Sequence, residues 1–161
     1  MIRREDIVTQ KELSPFVELL GLERHVEGGW FKEIWKSSVQ IPQDLLGKDY
    51  SGPRPAASTI YFLLHPGEES QWHAVLSDEH WLWHAGSPLV LSLGGSGEQP
   101  GEVEEIILGL DIAAGQQPQA VVPAGAWQAA RPLGNEPVLV SCVVAPGFHY
   151  DDFRLIGKSE E

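Results

Sequence analysis

Gly67-Glu68-Glu69-Ser70-Gln71-Trp72-His73-Ala74-Val75-Leu76-Ser77-Asp78-Glu79-His80-Trp81-Leu82-Trp83-His84-Ala85-Gly86 is the stretch on which the fold turns. It reads as a strand ending near Leu76, a turn through Ser77-Asp78, and a second strand returning from Glu79. Side chains alternate along a strand, so Gln71, His73 and Val75 share one face, and Glu79, Trp81 and Trp83 share another. The hairpin reading sets His73 and Glu79 near each other on adjacent strands. With both faces turned inward, the interior holds one imidazole, one carboxylate and two aromatic walls. A mostly apolar pocket with few polar groups suits a small ligand. By the same alternation His80 and His84 point outward.

The neighbouring sequence repeats this texture. Short β-branched and aromatic runs over 30–37, 58–64, 89–93, 103–108, 120–122, 126–130 and 138–144 are separated by turn residues such as Pro66-Gly67, Gly86-Ser87-Pro88 and Pro123-Ala124-Gly125. Many short strands at close spacing argue an all-β sandwich or barrel. Helix–strand alternation is missing. One short helix is expected over 9–20, where Leu13, Phe16, Val17 and Leu20 make one apolar face and Gly21 suits its end. Residues 39–57 read as a long loop, either a cover for the barrel mouth or an insertion. His65, beside Pro66-Gly67, reads as an exposed turn residue, and 157–161 as a frayed tail. The reading is one domain over 1–161, with the barrel at about 28–156.

Composition narrows the classes of function. Of 161 residues, 42% are hydrophobic, enough for a core without staples. There are 11 Lys and Arg against 23 Asp and Glu, a net charge of -12. Such a surface repels phosphate backbones and anionic lipid, so neither nucleic acid nor membrane is expected as a partner. Cys142, the one cysteine, lies in the apolar run 138–144 and reads as a small core residue. No secretory leader or membrane-length segment stands out, so a cytoplasmic protein is expected. A nucleophilic serine elbow and a phosphate loop are both missing.

The quoted stretch resembles the first motif of the cupin superfamily: Gly, five residues, His, one, His, three or four, Glu, six, Gly. Gly67, His73, Glu79 and Gly86 fit, while Val75 replaces the second His. In the second motif Pro123 and Gly125 fit, while Gln128 replaces the third His. Metal cupins bind their ion with three His and one Glu. The resemblance therefore leaves His73 and Glu79 as metal ligands, with Gln128 as a weak third, and a divalent ion as one cofactor reading.

A second resemblance covers nearly the whole chain. His25-Val26-Glu27-Gly28-Gly29-Trp30-Phe31 with Glu33, the run 58–64, Trp72-His73, Ser77-Asp78-Glu79, His84-Ala85-Gly86, the run 121–125, the run 144–148, and Asp152-Phe153 are similar to the cupin-5 family, formerly DUF985. That resemblance implies a double-stranded β-helix, the jelly-roll cupin barrel. It also implies a homodimer and a likeness to dTDP-sugar epimerases. It places the block around Gly28-Gly29 near the barrel mouth, which makes Trp30 and Glu33 pocket candidates. Val26 and His149 depart from the usual family residues.

Three functions are compatible with these residues. In an enzyme acting on a small polar, carbohydrate-like molecule, His73 is a general base kept basic by a nearby carboxylate and Tyr61 is the acid. Alternatively His73, Glu79 and Gln128 hold a metal. A binding protein would use Trp81 and Trp83 as stacking walls and Gln71, Tyr61 and Gln128 as hydrogen-bonding groups. A structural role would leave the pocket unused.

Overall fold

The computed structural model describes residues 13–157. The first four positions of the expected helix, 9–12, and the tail 158–161 lie outside the described residues. Helix α1 is Pro15–Leu19. It starts where Ser14 Oγ accepts a hydrogen bond from Phe16 N–H, with Pro15 in the first turn, where its missing N–H costs nothing.

Thirteen strands follow: β1 (Glu23–Arg24), β2 (Trp30–Lys36), β3 (Gln40–Ile41), β4 (Arg54–Pro55), β5 (Ser58–Leu64), β6 (Ser70–Val75), β7 (Asp78–Ala85), β8 (Leu89–Leu93), β9 (Glu104–Leu108), β10 (Gln119–Val122), β11 (Gln128–Pro132), β12 (Val138–Ala145) and β13 (Phe153–Leu155). One sheet runs β1-β2-β5-β12-β7-β10 and a second runs β13-β6-β11-β8-β9. Every strand pairing is antiparallel. The jelly-roll reading holds, and each of the nine expected runs is a strand within about two residues.

The core lies between the sheets. Phe62, Leu64, Trp81, Leu91, Val122, Val140 and Cys142 belong to it and are nearly inaccessible. A second cluster packs Leu22, Leu63 and Leu139 on the outer face of the larger sheet, with Trp30, Tyr61 and α1's Val17 against it. Alternation along β5 makes the division: Ile60, Phe62 and Leu64 go inward, Tyr61 and Leu63 outward.

The hairpin reading of the quoted stretch needs correction. β6 and β7 do not pair. β6 lies between β13 and β11, whereas β7 lies between β12 and β10. The chain crosses from one sheet to the other at Leu76–Ser77, so His73 and Glu79 reach the interior from opposite walls.

Residues 39–57 are also more ordered than a loop. β3 and β4 pair, helix α2 (Gln43–Leu46) lies between them, and Arg54 is buried against Asp152. His65 is buried rather than exposed: its Nε2 accepts from Ser14 N–H, which ties α1 to the barrel. No helix among the described residues is long and apolar enough to cross a membrane.

At Gly86 φ is 99°, and a Cβ there would collide with the Pro137 carbonyl oxygen. Gly86→Ala is expected to lose on the order of 3 kcal/mol in denaturant unfolding, through strain and clash together.

Candidate functional site

A cavity of about 120 Å³ opens between the sheets. β6 supplies His73 and Val75, β7 supplies Glu79, and β2 supplies Phe31 and Glu33. Ile60 comes from β5, Cys142 and Val144 from β12, and Phe153 from β13. Phe148 and Tyr150 complete the wall, and His25 and Glu27 enter from the turn before β2.

Glu27 organises the floor. Its Oε2 lies 2.7 Å from His73 Nε2, and both side chains are almost fully buried. His73 Nδ1 lies 2.7 Å from the Gln71 carbonyl oxygen, which can only accept, so Nδ1 carries a proton. With a carboxylate at the other nitrogen, the ring is an imidazolium held between two acceptors. It stacks on Phe153 with ring centres 5.6 Å apart. The Glu27 turn is itself fixed. Gln71 N–H donates to the Glu27 carbonyl at 2.7 Å, and Gly28, at φ 107°, passes so close to the Glu69 carbonyl that no side chain would fit.

Burial by itself would drive the His73 pKa down. The Glu27 charge and ion pair, with a smaller contribution from Glu79, outweigh it and raise His73 to about 9. Burial works against Glu27 as a carboxylate, yet the His73 charge holds its pKa below the usual range. For Glu79, burial dominates: despite the His73 charge, and with the Glu27 charge adding to the rise, it is raised to about 7. Burial lowers His25, whose Nδ1 accepts from Glu27 N–H at 3.1 Å. Glu79 Oε1 accepts from Gln128 Nε2 at 2.7 Å, and Gln128 Oε1 accepts from Trp81 Nε1 at 2.8 Å.

The residues singled out in the sequence separate into two groups. His73, Glu79 and Glu33 line the cavity. Tyr61 and Trp30 do not: both lie on the outer face in the second cluster, and Trp30 carries Arg24 over its ring at 4.4 Å. Gln71 offers its carbonyl to His73 while its side chain is exposed. Trp81 and Trp83 pack in the core, their indole N–H groups donating to Gln128 and to the Ser87 carbonyl. Gln128 is fully buried behind Glu79. Outside the cavity, His84 meets Ser141 Oγ at 2.6 Å. Val26 is exposed, and His149 caps a short 3-10 turn. Cys142 is a core residue as expected, although its side of β12 also faces the cavity, and burial pushes its thiol pKa up.

Sequence reasoning missed Glu27, His25, Phe31, Phe148, Tyr150 and Phe153. The signal available for the first two was a carboxylate and an imidazole directly before paired glycines, in a chain that buries few charges.

A sequence profile described as Cupin superfamily (DUF985) matches residues 14–156. The chain belongs to that family. An uncharacterized protein of Saccharomyces cerevisiae is 30% identical over 151 residues, covering 87% of this cupin and 73% of the yeast chain. Among solved structures, a protein from Shewanella oneidensis is 36% identical with a TM-score of 0.75, covering 97% of this cupin and 85% of that chain. A hypothetical protein from Leishmania major is 31% identical, also at 0.75, covering 86% and 84%. Oxalate decarboxylase from Bacillus subtilis, at 13% identity and a TM-score of 0.56, shares the fold alone.

The donors of this cupin do not fit the metal reading. His73, Glu79 and Gln128 do not converge on one point with free lone pairs. Both His73 nitrogens already face acceptors, and both ends of the Gln128 amide are engaged. Among the described residues no three His, Cys, Asp or Glu are grouped to hold an ion.

Proposed function

We propose that this cupin holds a small polar, carbohydrate-like molecule in the barrel and moves a proton on it, in the manner of an epimerase or isomerase. The observation that carries this reading is a buried carboxyl and a buried imidazole lining one cavity, both with raised proton affinity, so that Glu79 at about 7 exchanges its proton near neutral pH while His73 at about 9 keeps its own. Such a pair divides the work between a proton carrier and a fixed positive charge.

Glu79 is the carrier. Gln128 occupies its Oε1 and leaves Oε2 for the cavity, and near neutral pH Glu79 both accepts and returns protons. It takes the proton from a carbon next to a carbonyl. The C–H electron pair becomes the enol double bond, and the charge developing on oxygen is met by the His73 imidazolium. Tyr150, half exposed and with its phenol pKa raised by partial desolvation and by the charge of Glu27, is the donor at the mouth, in the role the sequence reading gave to Tyr61. His73 therefore supplies charge and orientation and does not act as the base.

The test is loss of α-C–H signal by proton NMR in heavy water, with small hydroxy ketones and short aldoses. Glu79→Gln is expected to slow exchange by about 10²–10⁴. Binding without exchange in the wild type would overturn the reading in favour of a non-catalytic binding protein, for which the Phe31 and Phe153 walls serve equally.

Glu79→Gln has a second expected effect. A carboxyl raised in the folded state stabilises fully below its ordinary 4.5, and that contribution is lost as pH rises through about 7. The substitution removes the cost of an ionised buried carboxylate. It should stabilise the protein at pH 8 by on the order of 2 kcal/mol, and by much less at pH 4.5, in paired denaturant titrations.

A further inference from the structure

The charges around the cavity decide what can enter it. Glu27 and the His73 imidazolium neutralise each other at 2.7 Å. What remains is Glu79 at the floor and Glu33 at the rim. Among the described residues no Lys or Arg lines the cavity. Two basic residues of neighbouring segments are committed: Lys36 lies 3.4 Å from Glu33 itself, and Arg54 grips Asp152 with two hydrogen bonds. Sites for carboxylates and phosphates place guanidinium or ammonium groups on the anion. Here an anion would meet carboxylates of its own sign inside a chain of net charge -12.

An organic cation gains little either: Glu33 already has Lys36, His73 is matched by Glu27, and only Glu79, raised to about 7 and so partly protonated near neutral pH, is left to meet it. Both His73 nitrogens are committed, so the group left to meet a ligand is Glu79 Oε2, which accepts when ionised and donates when protonated and so suits a carbonyl beside a hydroxyl. Around it the wall is apolar: Phe31, Ile60, Val75 and Phe153. The cavity volume of about 120 Å³ is close to that of a cavity that takes benzene, so the buried part of the ligand has about six non-hydrogen atoms.

We infer that the substrate is a small uncharged α-hydroxy carbonyl compound, its oxygens at Glu79 and its carbon end against Phe31 and Phe153, and that the cavity turns away carboxylates and phosphates. This rests on the proton-transfer reading of the same site and narrows it: sugar phosphates, sugar nucleotides and oxalate are excluded as enclosed ligands.

The experiment compares three probes of similar size by ligand-observed NMR: acetoin, lactate and protonated aminoacetone. Acetoin is expected to bind at least about tenfold tighter than either charged probe, with Glu33→Arg narrowing its lead over lactate. Lactate or aminoacetone binding as well as acetoin overturns the inference, and so does a wild type that binds none of the three. Selective binding of acetoin without exchange of its α-C–H in heavy water leaves the substrate class standing and sinks the proton-transfer reading. Exchange on lactate alone does the reverse.

Discussion

Glu27→Gln is expected to destabilise the folded protein by about 3–5 kcal/mol near pH 6, the cost of removing one partner from a buried ion pair. The substitution is nearly isosteric and leaves the turn's backbone anchor from Gln71 intact, so the loss reports on charge. Its pH dependence follows from the two partners. His73, raised to about 9, contributes stability that is complete below 6.5 and fades as pH rises through about 9. Glu27, lowered, contributes stability that is present above 4.5 and fades as pH falls through its depressed value. In the variant, burial is opposed only by the weaker pull of Glu79 and the Gln71 carbonyl, and His73 is expected to enter the fold neutral. The deficit should therefore be largest between pH 5 and 6.5 and shrink above pH 9. Urea titrations at pH 6 and pH 10 measure it. An equal deficit at both would mean that Glu27 acts through shape and not through charge.

Arg54→Ala is expected to cost a similar amount, about 3–5 kcal/mol, for the same reason at a different place. Arg54 Nη2 lies 2.6 Å from Asp152 Oδ1, and Nε donates to Oδ2 at 2.9 Å, with both residues almost fully buried. Nη2 also donates to Ser51 Oγ, whose hydroxyl donates to Asp151 at 2.7 Å. These bonds fasten β4 to the turn carrying Tyr150 and to Phe153 beyond it, and Gly147 N–H adds a bond to the Pro55 carbonyl at 2.7 Å. The variant should lose cavity binding as well as stability, because two aromatic walls hang from that turn. Arg54→Met combined with Asp152→Leu should recover part of the stability, since apolar replacement of a buried pair removes both desolvation costs. If the double variant is no more stable than Arg54→Ala, the pair is tied to further groups that its members alone do not account for.

Much of the barrel could be read from the sequence because local rules and the fold agree. Apolar and aromatic runs alternate, and glycine or proline ends nearly every one. Alternation puts His73 on one face with Val75 and Glu79 on one face with Trp81, and the match of both to the cupin motif points those faces inward. What alternation cannot give is which sheet a strand joins: Ser77-Asp78 reads as a hairpin turn but is a crossing between sheets. Nor does it say which of two faces is the inner one on a strand covered on both sides. Tyr61 and Trp30 look like pocket residues, yet they lie half-buried on the outer face, packed against Leu22, Leu63 and Leu139. Glu27 escaped notice because turns are expected to be polar and exposed, and only the folded chain shows that this one is driven between two sheets. Arg54 was hidden in the same way, within residues that read as an insertion.

The grip of Arg54 on Asp152 joins residues 98 positions apart. Contacts of such range must first meet the entropy of closing a long loop, and chains dominated by them fold in milliseconds to seconds. The pocket draws its floor from Glu27, His73 and Glu79 and its wall from Phe148 to Phe153, so partial folding of any one segment assembles little of it. Binding competence is therefore a property of the completed topology. A well-fitting occupant, bound only by that topology, adds its own free energy to the folded side of the balance and acts as a pharmacological chaperone.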